Sequence, residues 1–400
     1  MGKMKKLKKI QCIICVLAIL VQSFFFVNIL TYAEETEEIK SIDLRIYQDH
    51  PGVVGYDVEY SFSVYAETGY DTIRLTIDKV NLYCNNENIK IDGNKVTVPA
   101  KFKDNTDIQG IKIYAELKSN PEIKTFYPLM IKNWTKTLED NFDGDSLDTN
   151  VWSITKPFNL SNVSSKDGVT RTVASGVDDT VSVKDGKLVL KYLKNTAGKE
   201  VLTKDGKWIT PDYSGGAIDS SGKFSQHYGL FMTSMKVPGE GSGGVNPAFW
   251  LLPTSGNWGK AFFAQQRSGS NVNQYLGEID IIEYSAQWLP AQYQATDHWF
   301  TGIETGHVDN QVRVKSSLLW SDYNNFASVW TPNSVYYYYN GKLVKQVKNL
   351  TPIDEEQAYI LYSMGSSGYG GPDAATWTGW FTDDLLDTMV AYVDYVKVYK

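Results

Sequence analysis

Gly277-Glu278-Ile279-Asp280-Ile281-Ile282-Glu283-Tyr284 is the stretch on which the reading of this 400-residue chain turns. It puts three carboxylates within six residues of a run rich in β-branched isoleucine, a strand composition. In a strand, alternate side chains share a face, so Glu278 and Asp280 point the same way and Glu283 points the other. One extra residue at Ile281-Ile282, a β-bulge, would return Glu283 to the face of the other two. Three acids on one strand face are costly unless they share protons or meet a ligand. The triplet therefore predicts a bulged strand with a catalytic face. The local chemistry alone leaves a hard-cation site or a solvated acidic face open. Two separated carboxyls can divide the labour of glycoside cleavage, one attacking the anomeric carbon and one protonating the leaving oxygen. Retaining chemistry needs them about 5–5.5 Å apart.

The surrounding sequence reads as strands. Lys187-Leu188-Val189-Leu190-Lys191-Tyr192 follows an Asp185-Gly186 turn, and Val335–Tyr339 meets Lys342-Leu343-Val344 through Asn340-Gly341, a hairpin signal. The chain closes with the alternating run Tyr392–Tyr399. No long segment carries a 3.6-residue apolar period, so helix is minor. Aromatics make up 13% of the chain, which suits an all-β fold and also sugar-binding clefts, where a pyranose lies on an aromatic face. All 11 Trp fall between Trp134 and Trp380, which places a domain boundary near residue 132. Residues 34–132 alternate with period 2 in Asp57–Val64, Thr72–Ile77 and Gly110–Ala115 and predict a small Ig-like β-sandwich, an accessory domain with no chemical constellation. Residues 133–400 predict one large antiparallel sandwich.

The amino terminus reads as an export signal. Lys3, Lys5, Lys6, Lys8 and Lys9 precede an apolar stretch from Ile10 to Ile29, and Thr31-Tyr32-Ala33 offers a cleavage site before Glu34. Residues 1–33 are expected to be removed, leaving a secreted, extracellular protein with no membrane attachment; the apolar stretch is also long enough to span a bilayer, so an uncleaved anchor is the alternative. The remainder carries 34 basic and 46 acidic groups, a net charge of −12 that argues against a nucleic-acid partner. Cys84 is then the only cysteine, so no internal disulfide is available.

At this point the chain resembles glycoside hydrolase family 16. Glu278-Ile279-Asp280-Ile281-Ile282-Glu283 matches the bulged E-x-D-x-x-E signature of laminarinases, agarases and their relatives. Asp140-Asn141-Phe142-Asp143-Gly144 with Leu147-Asp148 and Trp152, Asp185–Leu190, Pro247–Pro253, Trp330–Leu343 and Val393–Tyr399 resemble further landmarks of the family, in the same order. The resemblance covers about 134–400 and implies a β-jelly-roll whose concave sheet holds an open cleft. It implies a retaining endo-β-glycosidase with Glu278 as nucleophile, Asp280 as its assisting partner and Glu283 as general acid/base. It also implies a structural calcium ion near the chain ends, with the Asp394 carboxylate and the Gly186 carbonyl as ligands; no cofactor is expected for catalysis. Oxygen donors of this kind suit Ca²⁺.

The substrate expectation is a β-linked polysaccharide, first β-1,3- or mixed-linkage glucan. The alternatives are a galactose-based polymer or host glycan and, in a different class, a lectin that binds without cutting. Candidate substrate-binding residues are Trp250, Trp258, Trp377, His298 and Trp299, with His298 expected near the acid/base. Two departures from the family pattern stand out: the long Thr254–Leu276 segment, and Met232 and Ser234 where an acidic residue and an Arg are frequent. The second is expected to change substrate contacts. The protein is expected to act as a monomer.

Overall fold

The computed structural model describes residues 38–46, 53–54, 59–68, 72–99, 111–132, 134–155, 161–164, 170–175, 177–203, 206–239, 241–254, 275–287, 291–301, 306–316, 319–320, 322–348, 357–366, 369–370 and 378–400. Residues 1–33, read above as an export signal, lie outside them. No helix among the described residues is long and apolar enough to cross a membrane.

Two compact units are present. The first comprises Val64–Leu82, Tyr114–Phe126 and the described residues up to Leu44. Its backbone is β: within the strand Glu59–Glu67, Val64 pairs with Leu75 and Ala66 with Ile73 of the strand Thr72–Leu75. The alternation read from the sequence shows in the burial. Val64 and Ala66 are buried while Tyr65 between them is partly exposed.

The second unit comprises Arg45–Ser63, Tyr83–Ile113 and Tyr127–Lys400. Its described residues form two large sheets. One has seven strands: β1 (Ser153–Ile154), β2 (Ala217–Asp219), β3 (Asn246–Pro253), β4 (Tyr275–Tyr284), β5 (Gln292–Thr301), β6 (Gly306–Lys315) and β7 (Ala358–Gly365), in the spatial order β1-β2-β7-β3-β4-β5-β6. All its neighbouring strands pair antiparallel. The other sheet has eleven strands and includes Lys187–Lys194, Gly229–Lys236, Asn324–Thr331, Ser334–Tyr339, Lys342–Lys348 and Val390–Tyr399. The closing strand Val390–Tyr399 pairs with Lys136–Asp140, so the two ends of this region meet in one sheet.

A single apolar core lies between the sheets. Phe249, Leu251, Ile279, Ile282, Tyr293 and Tyr362 enter it from one side, and Phe231, Phe326, Tyr337, Val393, Val396 and Val398 from the other. Sheets with alternating inward residues bury one face each in this way. The turns follow the sequence. Asn340 and Gly341 have φ of 46° and 78°, and Asp185 and Gly186 have 53° and 70°, the left-handed values a two-residue hairpin needs for its twist. Trp152, fully buried, is pinned by its Nε1–H to Asp140 Oδ2 at 2.8 Å.

One expectation is corrected here. The strand carrying Met232 and Ser234 belongs to the eleven-stranded sheet, between Asn324–Thr331 and Val390–Tyr399. It is not a strand of the sheet that carries the acids. A departure from the family pattern at these two residues therefore does not alter that acidic face.

Candidate active site

The acids sit on β4, between β3 and β5. The pairing register shows the bulge directly. On β5, Thr296 opposes Asp280 and Gln294 opposes Glu283, so the single Ala295 faces two residues, Ile281 and Ile282, on β4. On β3 the shift falls at the same place: Phe249 opposes Ile282 while Trp250 opposes Asp280. Ile281 is the extra residue, and Ile279, Ile281 and Ile282 all lie in the core between the sheets. Burying three isoleucines forces Glu278, Asp280 and Glu283 onto the other face. The hydrophobic effect thus sets the register that aims the carboxylates.

Asp280 is the most enclosed, with its side chain 3% exposed against 13% for Glu278. His298 Nε2 lies 2.7 Å from Asp280 Oδ2 and 3.8 Å from Glu278 Oε1. Burial, and then the charge of Glu283, push the Asp280 carboxyl well above the usual carboxylate range, against a hydrogen bond with Glu278 that pulls the other way. His298 Nε2 is within hydrogen-bond reach of Asp280 Oδ2, and Asp280 and Glu278 share a hydrogen bond, so two acids and an imidazole hold a common proton network on this face. Glu283 has a separate partner: Gln294 Nε2–H donates to its Oε2 at 2.9 Å, and Gln311 Nε2–H donates to Gln294 Oε1 at 2.9 Å. The environment therefore separates the two outer carboxyls, one held by an acid–imidazole pair and the other by an amide relay.

His298 is corrected in position. It was expected near Glu283, but β5 places it opposite Glu278. The bulge is the reason: it moves Glu283 along β4 to face Gln294. The residue beside Glu283 is thus Gln294, which the sequence reading missed. Its signal was present in the alternation Gln294, Thr296, His298, legible once the β4–β5 register is known.

Trp250 shares the face of the acids. It opposes Asp280 and packs with Ala248, Leu252, Tyr359 and Leu361 in a cluster distinct from the core between the sheets. Its Nε1–H donates to Ser363 Oγ at 3.1 Å, which fixes the plane of the indole. Trp258, Trp377 and the side chain of Trp299 lie outside the described residues, as does most of the Thr254–Leu276 segment.

Under the acidic strand lies an ion pair that the sequence did not disclose. Lys345 Nζ is 2.5 Å from Asp297 Oδ1, with side chains 10% and 0% exposed. Lys345 comes from the opposite sheet and lies 4.7 Å from the centre of the Tyr337 ring, whose hydroxyl donates to the Thr296 carbonyl at 3.0 Å. Burial lowers the lysine pKa, opposed by the Asp297 charge.

The two residues expected to hold calcium converge, but on a different cation. Lys187 Nζ lies 2.7 Å from Asp394 Oδ1 and 3.0 Å from the Gly186 carbonyl oxygen. A calcium ion takes six to eight oxygens. These two donors are already bridged by a tethered ammonium, so they do not fit the ion as they stand.

The family model described as "Glycosyl hydrolases family 16" matches residues 171–385, more than half of the chain. The chain belongs to glycosyl hydrolase family 16. Among curated proteins it is 26% identical over 287 residues to "Glucan endo-1,3-beta-glucosidase A1" of Niallia circulans, covering 66% of this chain and 37% of that protein. It is 26% identical over 225 residues to "Keratan-sulfate endo-1,4-beta-galactosidase" of Sphingobacterium multivorum, covering 52% of this chain and 46% of that one. The chain thus spans less than half the length of either relative. Among solved structures, the catalytic domain of a laminarinase from Thermotoga petrophila RKU-1 aligns with a TM-score of 0.46 at 20% identity, over 67% of this chain and 98% of that one.

Proposed function

We propose that this family 16 chain is a secreted, retaining endo-β-glycosidase that hydrolyses internal linkages of a β-linked polysaccharide, β-1,3- or mixed-linkage glucan first. The observation that carries the reading is the bulged β4, which presents Glu278, Asp280 and Glu283 on one face with separate supporting partners. Glu278 attacks the anomeric carbon as the leaving oxygen takes a proton from Glu283. A glycosyl–Glu278 ester forms, and Glu283 then accepts a proton from the water that hydrolyses it. Asp280 holds Glu278 as a carboxylate, and Trp250 and His298 line the substrate side of the same face. The basic head and apolar stretch before Ala33 support export, and the strands before residue 132 are read as an Ig-like accessory domain of a monomer.

A second substrate reading, a galactose-based polymer, is favoured by the keratan-sulfate endo-β-galactosidase relative. Product analysis decides between them. Residues 34–400 are incubated with β-glucans, β-galactans and mucin-type glycans, and oligosaccharides are read by mass spectrometry beside the Glu278→Gln variant. Glucan oligosaccharides absent with the variant are expected. Products from galactan alone would move the substrate to the second reading, and binding without any product would support a lectin.

A further inference from the structure

The acidic face extends well past the acids. Asp280 opposes Trp250, Trp250 opposes Leu361 on β7, and Leu361 opposes Asp219 on β2. These four residues form one row across four neighbouring strands. Three strand spacings put the far end of the row roughly 14 Å from Asp280. Tyr359, two residues before Leu361 on β7, lies on the same face and is a diagonal neighbour of Asp219.

Asp219 is 8% exposed, and its Oδ1 accepts the Ser221 N–H at 3.0 Å. Among the described residues its carboxylate meets no cation and accepts no second hydrogen bond. Tyr359 is 2% exposed, and its hydroxyl hydrogen-bonds no described residue. Burial, then the charges of Asp219 and Glu278, push the Tyr359 phenol up to about 12, so it stays an O–H donor at neutral pH. Neither the free Asp219 oxygen nor the Tyr359 hydroxyl is fully enclosed, so both open onto the acidic face, where a ligand can meet them in place of water.

We propose that Asp219 and Tyr359 form a sugar subsite at the far end of this row, selective for an uncharged hexose unit. A sugar hydroxyl donates to Asp219 Oδ2, and the Tyr359 O–H donates to a neighbouring sugar oxygen. Leu361 and Trp250 supply the apolar floor that carries the chain back to the acids. A sulfated or carboxylated unit would bring a second anion against a buried carboxylate, and like charges there are repelled. The inference rests on the endo-glycosidase reading and narrows its substrate class to a polymer neutral at this position.

The test is equilibrium binding rather than turnover. Glu278→Gln and Glu278→Gln/Asp219→Asn chains, checked for folding by circular dichroism, are titrated with neutral β-glucan and β-galactan pentasaccharides and their chemically sulfated counterparts. The single variant is expected to bind a neutral ligand and to discriminate against its sulfated form. Asp219→Asn is expected to weaken neutral binding about tenfold, the scale of one lost charge-assisted hydrogen bond, and to shrink the discrimination. Tyr359→Phe in the same background is expected to weaken neutral binding without changing discrimination. Unchanged binding in the Asp219 variant, or tighter binding of the sulfated ligand by the chain that keeps Asp219, would overturn the subsite and leave the endo-glycosidase reading intact. No binding of any ligand by the single variant would overturn both.

Discussion

Asp280 shows how burial sets chemistry at the scale of one residue. It lies enclosed between Glu278 and His298 and within the field of Glu283, and it keeps its proton to higher pH than a free aspartate. An unfolded chain releases that proton near pH 4. Between that value and the raised native value, the folded state binds one more proton than the unfolded state. Stability therefore falls as pH rises through this window, by up to ~1.4 kcal/mol per pH unit. Asp280→Asn, which stays neutral and can still donate, should match the native protein in melting temperature at pH 4 and exceed it at pH 7. A difference between the two that does not change with pH would show that Asp280 is ionised in the fold. Because the amide can still donate to Glu278, the variant should lose only about tenfold in kcat. Asp280→Ala, with the donor gone, should lose about 10²–10³-fold, the scale of removing one preorganised donor.

Strand β4 and the hairpin packed beneath it carry the energetic argument at the element scale. The Ser334–Tyr339 and Lys342–Lys348 strands bring Lys345 to Asp297 across a sequence separation of 48. Lys345→Met leaves Asp297 buried without its cation and should destabilise the protein by about 3–5 kcal/mol in urea unfolding. The Asp297→Leu/Lys345→Met double variant should recover most of that loss. A single variant as stable as the native chain would mean that solvent reaches the pair. This contact also marks where sequence reading stops. The bulge was legible because three isoleucines and three acids admit one register with the isoleucines inside and the acids outside. The hairpin turn was legible because Asn340-Gly341 has the chemistry of left-handed backbone. The Asp297–Lys345 pair was not, because an Asp between Thr296 and His298 reads as one more polar strand residue and its partner lies on another sheet. His298 was recognised as a site residue but placed on the wrong acid, because its neighbour depends on a register that one bulged residue shifts.

At the scale of the whole sheet, the eleven strands are tied together by Val390–Tyr399, which pairs with Lys136–Asp140, Lys187–Lys194 and Gly229–Lys236. The Lys187–Asp394 pair ties this strand to the Asp185-Gly186 turn with an ammonium in the place where a metal ion was expected. With side chains 29% and 37% exposed, the pair should contribute no more than about 1 kcal/mol. A chelator should therefore leave the melting temperature unchanged, and Lys187→Met should lower it by only a few degrees. A fall of many degrees on chelation, reversed by added calcium, would show that calcium displaces the ammonium. The family's order of landmarks along residues 134–400 was legible because each is a turn or a buried strand with its own local signature. The assignment of individual tryptophans to the cleft was not, since only Trp250 among them has a described side chain on the acidic face.

Azide rescue distinguishes the roles of Glu278 and Glu283 in a single experiment. The Glu278→Ala and Glu283→Ala chains are given an oligosaccharide with an activated leaving group in the presence of azide, and the product anomer is read by proton NMR. Without the nucleophile, azide attacks the anomeric carbon directly from the vacated side, so Glu278→Ala should yield the α-glycosyl azide. Without the acid/base, the glycosyl–Glu278 ester still forms and azide displaces it, so Glu283→Ala should yield the β-glycosyl azide. The opposite pairing of variants and anomers would contradict the assignment.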